Sequence, residues 1–326
     1  MEEPPSNWIM MRIKRGRAVS GVLVLNKDQG MTSNFALQKV KRIFNARKAG
    51  HTGSLDPLAT GVLPICFGEA TKFSSFFLNA SKKYHATIVL GIETDTYDSE
   101  GIVVKKTVSR DVSQSHVQNV INKFEGELLQ TPPMYSALKY KGKPLYKLAR
   151  KGINIERSPR NVSIYEIELL QFREKEHVEI DIFVHVSKGT YIRSLAHDIG
   201  KALGYGAHIS SLHRTGAGKF MENDSYKIDD IEIIKESSGL ESLDTKLLSL
   251  ENVMREDDLV EVTSEMGISF CLGQSVNVKE NFRKDQEGDI VRVFDDKGTF
   301  LGTGCCQENG IISPKRVVCV DSNLLT

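Results

Sequence analysis

A single acidic residue stands in the middle of the most punctuated stretch of the chain. Residues 48–73 read KAGHTGSLDPLATGVLPICFGEATKF, with four glycines and two prolines that shape the backbone. Asp56 lies directly before Pro57, and the next acid, Glu69, is thirteen residues further on. A catalytic Asp56 would therefore work alone or beside a cation from elsewhere in the chain. The spacing predicts a shaped loop, and the alternative is a surface turn whose carboxylate caps backbone N–H groups.

The same stretch is long enough to compare with known families. GHTGSLDPLATGVLPICFGEATKF closely resembles the signature loop of the TruB family of pseudouridine synthases, isomerases that convert uridine in RNA to pseudouridine. The resemblance implies that Asp56, in the LDPLATG run, is the catalytic residue. The family usually has a proline where Asp28 stands here, and Ser54 occupies a position that varies.

Two further segments carry the resemblance. GTYIRSLAHDIG, from residue 189, is similar to the second signature of the family, which implies active-site roles for Tyr191 and Arg193. Arg193 would pair with Asp56, since a fixed guanidinium keeps a carboxylate ionised and oriented. Tyr191 would move the proton at C5 of uracil as a general acid/base. The alternative for Arg193 is an ordinary surface arginine on a helix.

The resemblance also implies which residues would hold the RNA. Tyr84 and Leu212, the latter in the third signature GAHISSLHRTGAGKF, would form the two faces of a base pocket, where stacking is worth about 1–3 kcal/mol. His51 would enter the RNA fold when the uridine is flipped out. Lys27 would support the active-site loop or contact phosphate, and Lys48 is assigned to substrate binding. Without the resemblance, Tyr84 would be interpreted as a core residue and His51 as a surface or core residue.

The implied reaction needs little besides a carboxylate. Pseudouridine formation breaks the N1–C1′ bond of uridine, turns the uracil and rejoins it through C5, with no change of oxidation state. Asp56 could attack C1′ or remove the 2′ proton, and both alternatives stay open. Neither a cofactor nor a metal is expected, and the five cysteines include no CxxC pair. The acids of TDTYDSEG (94–101) are interpreted as turn formers, because the EF-hand spacing is missing.

Charge is unevenly distributed along the 326 residues. The formal net charge is +1, yet residues 1–50 and 131–160 each carry a local net charge of +7, and residues 221–263 carry −9. Phosphate binding depends on a local basic face, so the two basic segments favour RNA as a partner, although each run could be a solvated face. No apolar run reaches some 18 residues and no secretory signal is present, which predicts a cytoplasmic protein without a membrane partner.

Hydrophobic periodicity predicts the elements that position these residues. Strands are expected at 21–26, 83–91, 161–173 and 178–186, and helices after Thr32 or Ser33, at 113–124 and within 187–204. With the resemblance, this order implies an α+β fold: a catalytic domain on a mixed, largely antiparallel sheet flanked by helices, followed by a small PUA-like β-barrel. The predicted division is a flexible leader at 1–17, a catalytic domain with an acidic connector at 18–257, and a PUA-like RNA-binding domain at 258–326.

Three functions compete on this sequence. The first is a stand-alone, monomeric synthase acting on uridine-55 in the T-arm of tRNA without a guide RNA. The second is a non-catalytic RNA-binding or RNA-folding protein, against which the presence of Asp56, Tyr84, Tyr191 and Arg193 argues. The third is a guide-RNA-dependent synthase of the archaeal and eukaryotic branch, which the bacterial wording of the loop and the lack of a long basic tail disfavour.

Overall fold

A computed structural model describes residues 16–109, 111–254, 258–278 and 288–318. The predicted leader therefore lies almost wholly outside the described residues, as does Cys319. The helices are α1 (Ser33–Ile43), α2 (Ser74–Asn79), α3 (Gln114–Ile121), α4 (Leu145–Ala149), α5 (Ile192–Ala202), α6 (Ile228–Asp244), α7 (Leu250–Val253) and α8 (Ser264–Cys271). Among the helices within these ranges, none combines the length and the apolar character needed to cross a membrane.

The strands fall into one large sheet, one smaller sheet and two short hairpins. In the first half of the chain they are β1 (Gly21–Lys27), β2 (Ala49–His51), β3 (Thr60–Phe67), β4 (Lys82–Leu90), β5 (Ile92–Thr94), β6 (Val103–Lys106), β7 (Gly126–Gln130), β8 (Lys139–Tyr140) and β9 (Lys143–Pro144). In the second half they are β10 (Arg160–Arg173), β11 (Glu179–Val186), β12 (Ala207–Ala217), β13 (Phe220–Met221), β14 (Asp258–Val262), β15 (Val276–Asn277), β16 (Ile290–Asp295), β17 (Phe300–Gln307) and β18 (Ile311–Val317).

The large sheet has nine strands in the order β1-β3-β12-β4-β11-β10-β7, with β2 added to β3 and β13 to β12. Every neighbouring pair is antiparallel except β3 and β12, which run parallel. The predicted α+β fold on a mixed, largely antiparallel sheet is confirmed. The alternation seen in the sequence buries one face of β4 and of β11 in the core beneath α5, whose Leu195, Ala196 and Ile199 are buried.

The stretch 48–73 is less of a loop than the sequence predicts. Only Lys48 and residues 52–59 lack regular structure, because β2 and β3 occupy its flanks and a 3-10 helix, Gly68–Phe73, follows. The loop prediction is therefore wrong for both ends. The physical reason is the apolar run of β3, whose alternate side chains are buried in two different hydrophobic clusters, because a strand buried on both faces reads as a continuous apolar segment.

The C-terminal residues form a second sheet, in the order β14-β16-β17-β18-β15, with α8 packed against it. The predicted DDKG hairpin is confirmed between β16 and β17, where the Asp295 carboxylate accepts hydrogen bonds from the N–H groups of Lys297 and Thr299. This curled sheet agrees with the predicted PUA-like fold. It contacts the large sheet near the 3-10 helix, where the ring centroids of Phe73 and Phe300 lie 6.2 Å apart.

Candidate active site

The loop that carries Asp56 is fixed at its backbone. Ser33, the first residue of α1, accepts a hydrogen bond from the Leu55 N–H at 2.7 Å and donates one to the Leu55 carbonyl at 2.9 Å. On the other side of Asp56, the Gly30 N–H donates to the Pro57 carbonyl at 2.8 Å. The backbone around Asp56 is thus held from both directions, and its carboxylate projects from a rigid support.

Arg193 meets this carboxylate as the sequence predicts. Its Nη2 donates to Oδ1 of Asp56 at 3.1 Å, and its Nε makes an ion-pair contact with Oδ2 at 2.8 Å. The Arg193 side chain is 5% exposed, whereas the Asp56 side chain is 39% exposed. A buried guanidinium in fixed geometry keeps a carboxylate ionised and oriented. The pair therefore presents a negative charge at the edge of solvent, held from behind by a positive one.

Arg193 has three further partners in the structure. Its Nη1 donates to the Thr96 carbonyl at 2.8 Å and lies 3.4 Å from Oδ2 of Asp98, and its Nη2 also donates to the Tyr135 carbonyl at 2.8 Å. Asp98 is a residue whose site role the sequence analysis missed. It does form the expected turn, by accepting from the Thr96 hydroxyl and the Glu100 N–H, but its buried carboxylate also faces Arg193. No local pattern marks a contact between positions so far apart.

Tyr84 and Leu212 lie on one face of two neighbouring strands. In the β4–β12 pairing, Tyr84 is opposite Arg214 and Ala86 is opposite Leu212, so the two predicted pocket residues are diagonal neighbours. Both are nearly buried, with 8% and 7% exposure. The structure thus brings together the two side chains expected to form the base pocket.

Tyr191 is the N-cap residue of α5 and is fixed through its backbone. The Gln130 side chain accepts from the Tyr191 N–H at 2.8 Å and donates to the Tyr191 carbonyl at 3.1 Å. Burial raises the pKa of the Tyr191 phenol above its ordinary value of 10.0. The hydroxyl is therefore protonated at neutral pH and can donate a proton or a hydrogen bond.

The predicted lysines behave differently from each other. Lys27 is fully buried, and its Nζ donates to the carbonyls of Asp28 at 2.8 Å and Met31 at 2.9 Å. Burial lowers the pKa of Lys27 to about 8, although the carboxylates of Asp28 and Asp56 act in the opposite direction. Of its two expected roles, loop support fits this geometry and phosphate contact does not. Lys48 is exposed just before β2.

Arg214 holds the Asp56 loop from the other side. It is 1% exposed, and it donates through Nε to the Val62 carbonyl at 2.6 Å and through Nη2 to the Gly53 carbonyl at 3.2 Å. Gly61 has φ +98°, and a Cβ there would lie 2.3 Å from the Arg214 carbonyl, so only glycine fits. Because Arg214 is buried and its donors bind backbone carbonyls, it supports the structure of the loop. Close to this arginine, burial lowers the pKa of the half-buried His51, with the Arg214 charge as a second cause.

Comparison with known families gives three matches along the chain. The model of the TruB family pseudouridylate synthase N-terminal domain matches residues 41–192. The tRNA pseudouridylate synthase B C-terminal domain matches residues 193–255, and the C-terminal model of pseudouridine synthase II TruB matches residues 259–318.

Several curated bacterial relatives named tRNA pseudouridine synthase B align over nearly their whole length. The protein of Saccharophagus degradans is 47% identical over 307 residues, which cover 94% of this chain and 98% of the relative. The protein of Stutzerimonas stutzeri is 44% identical, with 95% and 99% covered.

Two solved structures are similar at lower identity. A Cbf5-Nop10-Gar1 complex matches with 27% identity and a TM-score of 0.67, over 91% of this chain and 84% of the other. An H/ACA RNP bound to a substrate RNA containing 2′-deoxyuridine matches with 26% identity and a TM-score of 0.67, over 92% and 85%.

Proposed function

The chain belongs to the TruB family of pseudouridylate synthases, and on this premise we propose that it converts uridine-55 in the T-loop of tRNA to pseudouridine. The relatives at 43–47% identity are named for action on tRNA, and they span the same length as this chain. The target base would be flipped into the cleft beside Asp56, at a cost of a few kcal/mol.

The observation that carries the proposal is the half-exposed Asp56 carboxylate held by the buried Arg193. The ion pair holds the carboxylate in a fixed orientation, from which it would face the ribose of a bound uridine. From there Asp56 can attack C1′ or remove the 2′ proton, and both routes release N1 from C1′. The uracil then turns and C5 bonds to C1′, while the Asp56–C1′ bond breaks in the first route or the 2′ proton returns in the second. The C5 proton then leaves and N1 gains a proton. The reaction is balanced without any electron donor or acceptor.

The neighbouring side chains suit the remaining steps. Tyr84 and Leu212 offer one aromatic and one aliphatic surface on the same sheet face, which suits a base that must turn without strong anchoring. Tyr191, protonated because its pKa is raised, would return or relay the proton at C5. His51 favours its neutral form, since its pKa is lowered, and a neutral ring suits the space that the flipped uridine vacates among stacked bases.

RNA would be held by the basic segment 131–160 and by the C-terminal sheet. Lys139, Lys141 and Lys143 of the basic segment are exposed, and the backbone of Tyr135 in the same segment touches Arg193. The division into a catalytic part, 18–257, and an RNA-binding part, 258–326, belongs to this proposal and is supported by the separate strand orders of the two sheets.

The proposed enzyme acts as a monomer in the cytoplasm and needs no guide RNA. The support is relative similarity: identity to the bacterial tRNA enzymes reaches 47% over 94% of the chain, against 27% to the Cbf5-containing complex.

The test is tritium release from C5-labelled uridine in a full-length tRNA transcript. Wild type and the exposed-site control Asp229→Asn should release tritium, whereas Asp56→Asn should release none and still bind the RNA. A second transcript with cytidine at position 55 should give no release from any variant. Release by Asp56→Asn would contradict the catalytic assignment, and release from the cytidine-55 transcript would contradict the target site. Tight binding without release by wild type would favour a non-catalytic RNA-binding protein.

A further inference from the structure

The turn TDTYDSEG bears a backbone feature that its sequence does not explain. Tyr97 has φ +63°, in the left-handed region that bulky side chains rarely adopt. Its two chain neighbours both bind Arg193, Thr96 through its carbonyl and Asp98 through its carboxylate. The conformation of Tyr97 thus decides where two of the partners of Arg193 point.

The ring of Tyr97 packs against an aromatic neighbour. It stacks on the imidazole of His197, with ring centroids 4.2 Å apart and an interplanar angle of 16°. His197 follows Arg193 by four residues on α5, so both side chains leave the same side of that helix. The same side of α5 therefore carries the Arg193 guanidinium, which the turn binds, and the His197 ring, on which Tyr97 stacks.

One side of this stack faces a cavity. Tyr97 and His197 border an open cavity of about 420 Å³, together with Glu93, Tyr135 and Arg157. Glu93 lies at the His197 side of the cavity, with Oε2 3.8 Å from Nδ1 of the imidazole. A left-handed non-glycine residue persists only where surrounding structure holds it. The backbone of Tyr97 accepts from the Ile209 N–H and donates to the Thr94 carbonyl. These hydrogen bonds fix the main chain, whereas the ring stacks on His197.

We propose that Tyr97, held by its stack on His197, is a positioning residue for the Asp56–Arg193 pair. The stack keeps the turn in its left-handed conformation, and the turn aims the Thr96 carbonyl and the Asp98 carboxylate at the Arg193 guanidinium. In the described part of the chain neither ring has a hydrogen bond or ion pair with Asp56, so their effect passes through Arg193. This inference deepens the proposed function and rests on it for the identity of the reaction, but not for the geometry.

The first readout separates rate from binding. Tyr97→Ala and His197→Ala should lower the single-turnover rate of tritium release by about tenfold. This is less than the roughly hundredfold loss that a displacement of a catalytic group by about 1 Å can cause, because the two rings act on Asp56 only through Arg193. The dissociation constant for tRNA and the thermal midpoint should stay close to the wild-type values. Tyr97→Phe, which keeps the ring, should restore the wild-type rate. His116→Ala, an exposed histidine on α3, is the matched control and should change nothing.

The second readout does not require activity. The ¹⁵Nε–H signal of Arg193, assigned by its loss in Arg193→Lys, should be sharp in wild type and Tyr97→Phe and broadened in Tyr97→Ala. If wild type released no tritium but the signal still broadened in Tyr97→Ala, the proposed function would fail and the positioning role would stand. A wild-type rate together with an unchanged Arg193 signal in Tyr97→Ala and His197→Ala would overturn the positioning role.

Discussion

Two arginines hold the Asp56 loop, and the regions around them are built differently. Arg193 lies between the carboxylates of Asp56 and Asp98 and also binds two backbone carbonyls. Arg214 is equally buried, but its hydrogen bonds go to the backbone carbonyls of Gly53 and Val62, on either side of the loop. Arg193 binds the side chain that we propose to be catalytic, whereas Arg214 fixes the path of the main chain.

The difference shows how a site can separate chemistry from shape. A carboxylate that is to react must stay open to solvent so that the substrate can reach it, although the arginine that pairs with it can be buried, as Arg193 is. A charge that binds only carbonyls can be buried completely, since its partners are already part of the fold. We therefore expect changes around Arg193 to affect the reaction rate, and changes around Arg214 to affect the free energy of unfolding.

The largest effect is expected at Arg193. Arg193→Lys keeps the charge but loses the planar fork, so Asp56 is no longer held by two nitrogens. The single-turnover rate should fall by a hundredfold or more, roughly the effect of removing one preorganised hydrogen-bond donor. The free energy of unfolding should fall less than on loss of Arg214, because the lysine keeps a charged donor for Asp98 and the buried carbonyls. Arg42→Lys, on the exposed side of α1, is the control, and a normal rate in Arg193→Lys would remove the distinction between the two arginines.

Arg214 should give the opposite result. Arg214→Met fills similar space but leaves the carbonyls of Gly53 and Val62 without a buried donor. Unsatisfied buried groups cost about 1–3 kcal/mol each, so with two carbonyls the free energy of unfolding should fall by about 2–6 kcal/mol. Urea denaturation of the variant beside wild type measures this. An unchanged midpoint would show that the loop keeps its shape without the arginine.

Asp98 tests whether the rear of the Arg193 site matters. Asp98→Asn keeps the size and the turn-forming oxygen but removes the charge that faces Nη1. The rate should fall by roughly tenfold, which corresponds to about 1.4 kcal/mol in the barrier. The same assay on Asp95→Asn, a neighbouring turn position, provides the comparison. Equal losses in both would mean that the turn matters and the ion pair does not.

The smallest effect concerns pH and belongs to the region of Arg214. Burial lowers the pKa of Lys82 from 10.5 to about 8, with Arg214 and Lys188 as further causes. Below pH 8 the lysine is protonated in both states. Between about 8 and 10.5 the unfolded chain holds a proton that the folded chain lacks, so the free energy of unfolding rises with pH, by on the order of 1 kcal/mol. Lys82→Met should reduce this rise in urea titrations at pH 7 and 9.5, and an identical slope would refute the assignment.

The strands could be predicted from local sequence patterns, and the Asp56–Arg193 pair could be predicted from resemblance to a family. Alternation along residues 178–186 and the helical stripe after Tyr191 are local signals, and the structure follows them closely. The pairing of Arg193 with Asp56 came from resemblance, since nothing in either segment alone points to the other. The structure supplies the distances that the resemblance lacked.

What escaped prediction depends on contacts between distant segments. Asp98 resembles an ordinary turn former, because its second role depends on Arg193 reaching it from α5. Nothing in the sequence around Tyr97 indicated a left-handed backbone. In the structure this conformation occurs together with the stacking of its ring on His197. The ends of the stretch 48–73 resembled a loop because of their glycines, yet packing on both faces of the sheet makes β3 a buried strand. In each case tertiary contacts override a local preference.

Strand β3 also sets a fixed distance within the molecule. It begins four residues after Asp56 and ends at the 3-10 helix, where Phe73 packs on Phe300 and Arg316 donates to the Lys72 carbonyl at 2.9 Å. Its eight residues, at about 3.3 Å each, give a strand of roughly 26 Å between the end of the Asp56 loop and the start of the 3-10 helix that contacts the C-terminal sheet. Any RNA segment gripped by that sheet would meet Asp56 at a set interval, so the nucleotide that reacts would be chosen by counting along the RNA as well as by its base.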